Sequence, residues 1–170
     1  FLGIDIAELL SGARRMDELC RSSDLWINPS LLSASLHYLA DTRQGRKIRV
    51  VMPYGERLNG YADWFVQLWA ESLGKKFNLK GNEVRSGPTP LKARGPADQH
   101  SLLQLLLEGP ADKTVTFLAI KEHEALKIPA CSRPPELARL GGKGVAELQE
   151  AERKATARAL TESGCPHLTI

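Results

Sequence analysis

Cysteine is scarce in this chain of 170 residues, and its three thiols, Cys20, Cys131 and Cys165, form no Cys-x-x-Cys pair. An odd number of scattered cysteines builds neither a disulfide framework nor a zinc site. Three thiols of this kind fit a reducing compartment, so a cytoplasmic location is expected. No two of the four histidines stand at a metal-ligand spacing, and no His-Glu-x-x-His is present. No apolar run reaches the roughly 18 residues that a membrane span needs. Neither sign of charge dominates: 23 Lys and Arg face 20 Asp and Glu, a net charge of +3. That balance argues against a disordered polyelectrolyte and is a weak footprint for a nucleic-acid binder. Neither a membrane nor a nucleic acid is therefore expected as a partner. Internal repeats and low-complexity tracts are absent. Gly141-Gly142-Lys143-Gly144 lacks the Gly-x-x-x-x-Gly-Lys-Ser/Thr pattern of a phosphate loop. Ser11, Ser33 and Ser101 lack the Gly-x-Ser-x-Gly elbow of a hydrolase nucleophile.

What is present is an ordinary globular balance, with 42% hydrophobic and 25% charged residues. The length matches about one domain. The chain begins at Phe1, and its first ten residues carry Asp5 and Glu8 without a basic segment, unlike a signal peptide. It closes on the β-prone Leu168-Thr169-Ile170. Both ends are expected to be cuts in a longer polypeptide.

Apolar residues at helical spacing predict a helix over 3–20. Asn28-Pro29 is a good N-cap and first-turn pair for a second helix that stops near Gly45. Lys47 to Tyr54, with a β-branched centre, predicts a buried strand, and Gly55-Glu56-Arg57 a turn. A helix is expected over 58–76, ending at Gly74 or just beyond. Residues 78–97, rich in Gly and Pro, predict a loop with a short strand at 83–85. A helix over 98–107, a strand over 114–120, an irregular stretch over 128–144, a helix over 145–163 and a further strand from Leu168 follow. Helices alternating with short apolar strands argue an α/β fold with a parallel sheet covered on both faces. Two helices before the first strand fit a domain whose first strand precedes Phe1.

Two places could carry chemistry. On the third helix, Ala62, Phe65, Val66, Trp69 and Leu73 share one face, while Gln67, Glu71 and Lys75 follow at i, i+4 and i+8 on the other. This reads either as a solvated face with a Glu71–Lys75 pair or as a cleft where a partly desolvated Glu71 serves as a proton-transfer base. His100 follows a Gly/Pro-rich loop at a helix start, where open α/β folds bind ligands and where an imidazole can exchange protons near neutral pH. It reads equally as a capping residue. His37, His123 and His167 are weaker candidates.

These residues resemble a known family. Tyr61 to Lys75, ending Glu71-Ser72-Leu73-Gly74-Lys75, resembles the Glu-Ser-x-Gly-Lys segment of glucose-6-phosphate isomerases. Gly87-Pro88-Thr89-Pro90, Asp98-Gln99-His100-Ser101, Gln104-Leu105 and Glu108-Gly109-Pro110 resemble the family's Gly…Gln-His-Ser…Gln-Leu…Gly block, in its bacterial style. Val51-Met52-Pro53-Tyr54 before Arg57-Leu58 also fits. The resemblance covers most of the chain and is strongest over 48–120. It implies a sugar isomerase (SIS) domain, a three-layer αβα sandwich around a parallel sheet, here part of the second such domain. It implies interconversion of glucose 6-phosphate and fructose 6-phosphate without metal or organic cofactor. Glu71 would move a proton between C1 and C2 through a cis-enediol. Gln67, Gln99 and Thr89 would hold the sugar. His100 would assist ring opening, supplied to the site from the partner subunit of a homodimer. The family's Gly-Gly-Arg motif, its Ser/Thr-rich phosphate loop and its C-terminal Gly-Val-Glu…Gly-Lys motif do not occur within these 170 residues. The chain alone is therefore expected to be inactive or nearly so. A non-catalytic SIS module that senses a phosphosugar is the alternative, and half of a dimer interface a third reading.

Overall fold

The computed structural model describes residues 3–121, 125–130 and 134–170. His123 and Cys131 lie outside the described residues. The chain divides into two compact units, residues 1–45 and 46–170.

The first unit is a helical pair, α1 (Ile6–Cys20) and α2 (Pro29–Gln44). Asp5 caps α1 by accepting from the Glu8 amide at 3.0 Å. Asn28 does more than cap α2. Its Oδ1 accepts from the Leu31 amide at 2.9 Å, and its Nδ2 donates to the Cys20 and Ser22 carbonyls, both at 2.8 Å. One buried side chain thus satisfies the orphan amide that opens α2 and two carbonyls of the turn after α1. Gly45 closes α2 in the left-handed conformation expected of a C-cap.

The second unit carries the sheet. Its elements are β1 (Ile48–Tyr54), a 3-10 turn (Glu56–Leu58), α3 (Asn59–Leu73), β2 (Lys75–Phe77), β3 (Glu83–Ser86), β4 (Thr89–Lys92), α4 (Gln99–Glu108), β5 (Lys113–Ala119), α5 (Pro135–Ala138), α6 (Val145–Glu162) and β6 (His167–Thr169). Four strands form a parallel sheet in the order β4-β1-β5-β6, and β2 pairs with β3 as a separate antiparallel hairpin. The order explains the layering. The chain steps from β1 to β4 in one direction, then from β4 past β1 to β5 and on to β6 in the other. Right-handed crossovers put connections that run in opposite directions on opposite faces. Accordingly α3 covers one face, where Val51 and Leu118 pack with Ala62, Leu58 and Phe65. On the other face α4 and α6 cover Val50, Met52, Tyr54, Val115 and Phe117 with Leu106 and Leu160. The expected αβα arrangement with a parallel sheet is present.

A short helix, α5, lies within the stretch 128–144 expected to be irregular, and three further differences from the sequence expectation concern α3 and the strands beside it. First, α3 stops at Leu73 because Gly74 turns the backbone out of the helix into an extended conformation. Lys75 therefore lies in β2, not on α3. Its Nζ donates to the Ser72 carbonyl at 2.6 Å, capping the helix end rather than pairing with Glu71. Secondly, β4 occupies a stretch expected to be loop. Pro90 is tolerated there because β4 is an edge strand and its amides point alternately toward and away from β1. Thr89 and Ala93 donate to the Lys47 and Val51 carbonyls, so position 90 faces away from the ladder. Thirdly, the outer face of α3 is not uniformly polar: Tyr61, Trp64 and Leu68 are exposed, and so is Leu73, expected on the core face. No described helix is long and apolar enough to cross a membrane.

His167, on β6, meets the edge of the Phe117 ring at 5.8 Å between centroids and lies 2.9 Å from the Thr161 hydroxyl. Burial lowers its pKa below the ordinary imidazole value, because the charged form loses water. The unfolded chain therefore binds this proton more readily than the native one. Stability is full above the ordinary histidine value and falls as pH drops below it toward the lowered one. His167→Gln is expected to flatten this loss, measured as the denaturation midpoint between about pH 7.5 and 5.5.

Candidate active site

Ligands of open parallel sheets bind beyond the carboxyl ends of the strands, where neighbouring connections leave to opposite faces. Here that point lies between β1, followed by α3, and β4, followed by α4. Three structures meet there: the turn after β1, the loop 93–98 and the first turn of α4, which opens with Gln99 and His100. Arg94 bridges two of them, its guanidinium donating to Glu56 at 2.8 Å. That hydrogen bond lowers the Glu56 pKa and raises that of Arg94, the two remaining fully charged. The Arg94 amide also donates to the Asp98 carboxylate at 2.7 Å, and the Gln99 amide to the Pro96 carbonyl at 3.0 Å. The loop is thus knitted to the helix start. His100 itself is exposed.

Behind His100 stands a polar cluster that sequence reasoning missed. The Gln99 amide nitrogen donates to the Tyr54 hydroxyl, to the Thr156 hydroxyl and, at 3.3 Å, to the Glu152 carbonyl. Thr156 Oγ1 in turn donates to the Glu152 carbonyl at 2.9 Å, and Tyr54 donates to Thr156 at 3.4 Å. Tyr54 and Thr156 are buried. Burial pushes the Tyr54 phenol above its ordinary pKa, against the pull of its Thr156 and Gln99 hydrogen bonds. The Tyr54 ring is held by Phe117, edge-on at 5.8 Å, and by Gly95. A Cβ at Gly95 would fall 2.4 Å from the ring, so only glycine lets the loop lie this close. A tyrosine at a strand end before glycine is a weak signal in the sequence. Thr156 carries none, since its side-chain partners lie 57 and 102 residues away in the chain.

Glu71 lies elsewhere. It occupies the last turn of α3, exposed, and α3 runs back from the carboxyl end of β1 toward the amino end of β4. The end of α3 is fixed there by Gly87, where a Cβ would come within 2.9 Å of the Leu73 carbonyl. Thr89, exposed, opens β4 at this same end, and Gln67 lies one turn back along α3, also exposed. From the start of α3 to Glu71 is a rise of roughly 18 Å at 1.5 Å per residue. The structure therefore groups Glu71, Gln67 and Thr89 at one end of the sheet, and Gln99 and His100 at the other. Within one chain Glu71 and His100 do not meet.

Residues 2–132 match the family model described as phosphoglucose isomerase, a stretch that contains both groups. This chain belongs to that family. Its relatives include a glucose-6-phosphate isomerase from Carboxydothermus hydrogenoformans, 45% identical over 170 residues, which cover 99% of this chain and 36% of the relative. A hypothetical protein from Thermus thermophilus superposes with a TM-score of 0.88 at 36% identity, covering 98% of this chain and 39% of that one. A glucose-6-phosphate isomerase from Chlamydia trachomatis superposes with a TM-score of 0.75 at 25% identity, covering 91% of this chain and 28% of that one. The chain thus spans about a third of the length of the phosphoglucose isomerases it resembles.

Proposed function

We propose that residues 1–170 are part of the second SIS domain of a longer, homodimeric, cytoplasmic phosphoglucose isomerase, serving glycolysis and gluconeogenesis. Its substrate pair is glucose 6-phosphate and fructose 6-phosphate, interconverted through a cis-enediol. The proton next to a carbonyl is weakly acidic, so its removal needs a positioned base, and Glu71 takes that role. Gln67, one turn away on α3, holds the sugar, with Thr89 at the same end of the sheet. Opening the sugar ring needs an acid–base group at a different oxygen, and His100 supplies it from the partner subunit. The observation that carries this reading is that one family match spans both the Glu71–Lys75 and the Gln99–Ser101 motifs. The separation of Glu71 from His100 within the chain supports a site shared between two subunits.

The test is isomerisation in deuterated water by the full-length polypeptide. An isomerase working through an enediol places solvent deuterium on the carbon next to the carbonyl. A phosphosugar-sensing module binds glucose 6-phosphate without incorporating deuterium, and that result would overturn the proposal. The isolated 170 residues hold the base but neither of the family's anion-binding motifs. They are expected to show no measurable turnover in the same assay.

A further inference from the structure

We infer that Gln99 is a positioning residue whose side-chain nitrogen, locked onto Tyr54 and Thr156, fixes the first turn of α4 and thereby aims His100. The inference rests on the reading of His100 as a group that acts on the sugar. A motif residue beside a catalytic histidine would by itself pass for a sugar ligand. The hydrogen-bond accounting points the other way.

Thr156 has one hydroxyl proton, and it goes to the Glu152 carbonyl at 2.9 Å. Thr156 Oγ1 can then only accept, which makes the Gln99 amide nitrogen a donor toward it and fixes which end of the amide faces inward. The second amide proton reaches the Tyr54 hydroxyl, and the Tyr54 proton returns to Thr156 at 3.4 Å. Every proton in this ring has a destination inside the protein. The Gln99 nitrogen has none left for a ligand. The ring joins three elements that the chain brings together from far apart: the end of β1, the start of α4 and the middle of α6. Two of its members are buried, and a buried polar network whose donors are all paired resists displacement, because a shift leaves a donor without a partner. Gln99 is the first residue of α4, so holding its side chain sets the angle at which the helix leaves the sheet. His100 is exposed and follows directly, and its aim is inherited from that angle.

The experiment uses the full-length protein with Gln99→Leu, Tyr54→Phe, Thr156→Val and Thr156→Ser, alongside His100→Ala and the Gln99→Leu/His100→Ala double variant. Gln99→Leu and Thr156→Val are expected to lower kcat by on the order of 10- to 100-fold with KM unchanged, the effect of misaiming a reacting group. Thr156→Ser, which keeps the hydroxyl, is expected to restore kcat. Tyr54→Phe removes one hydroxyl while keeping the ring packed, so it reads the network even if Thr156→Val fails to fold. In the double variant, Gln99→Leu is expected to add nothing to the loss from His100→Ala, because it acts only through that imidazole. A raised KM with unaltered kcat would mark Gln99 as a sugar ligand and overturn the inference. So would losses that multiply in the double variant, or variants that lose stability without losing kcat. If His100→Ala leaves isomerisation intact, the role of His100 is what fails, whereas the split between KM and kcat in Gln99→Leu still reports on Gln99.

Discussion

Glu71→Gln in the full-length protein is expected to lower isomerisation by about 10²- to 10⁴-fold, the range that a positioned general base contributes. Glutamine keeps the shape and the hydrogen-bonding reach of the side chain but cannot take a proton from carbon. Glu71 is exposed on the last turn of α3, and a surface exchange of this kind shifts stability by within about 0.5 kcal/mol. A loss of rate is therefore a loss of chemistry, not of folding. Binding of glucose 6-phosphate, measured by calorimetry, should survive, and deuterium incorporation from solvent should disappear together with turnover. A variant that keeps more than about a tenth of the activity would remove Glu71 from the role of base.

The second large effect is a recovery. His100→Ala is expected to lower turnover of the cyclic sugar, yet mixing it with Glu71→Gln should bring activity back. The reason is geometric: the two residues stand at opposite ends of the sheet in one chain, Glu71 lying roughly 18 Å along α3 from the start of that helix. If each site takes Glu71 from one subunit and His100 from the other, a mixed dimer has one site with both native residues and one with neither. Random reassortment makes half of the dimers mixed, with one of their two sites intact, so about a quarter of wild-type activity is expected. The measurement is turnover after the two inactive variants are unfolded together and refolded, with dimer formation followed by sedimentation. Mixed dimers without activity would mean that the two residues do not share a site across subunits.

Much of the local structure was legible because its signals are local. Asn28, Pro29 and Gly45 mark both ends of α2, since a cap acts within one turn of its own position. The apolar runs of β1 and β5 show as strands because both are central in the sheet and buried on both faces. The strands that escaped are the ones that depend on neighbours. Gly74 marks the end of α3, but nothing in Lys75-Lys76-Phe77 itself marks a strand, and only its pairing with β3 makes it one. Thr89-Pro90-Leu91-Lys92 has the composition of a loop, and it is a strand because an edge position leaves the amide side of Pro90 unpaired. The exposed stripe of Tyr61, Trp64 and Leu68 on α3 is likewise invisible to a reading that assigns one apolar face to each helix.

The candidate residues divide in the same way. Glu71, Gln67, Gln99, His100 and Thr89 could all be named from two motifs, because a motif is a property of the chain order. Neither motif contains the fact that they form two groups at opposite ends of the sheet. That follows from the crossover of α3 and the strand order β4-β1-β5-β6. Nor does the text around Gln99 name Tyr54 or Thr156, which lie 45 and 57 residues away. Chain order sufficed for five of the six described helices, the two central strands and the family, and it named the candidate groups, because all of these depend on near neighbours in the chain. Which groups can meet was settled only in three dimensions. A hydrogen bond or a shared site depends on distance in space, and folding brings remote residues together while holding Glu71 and His100 apart.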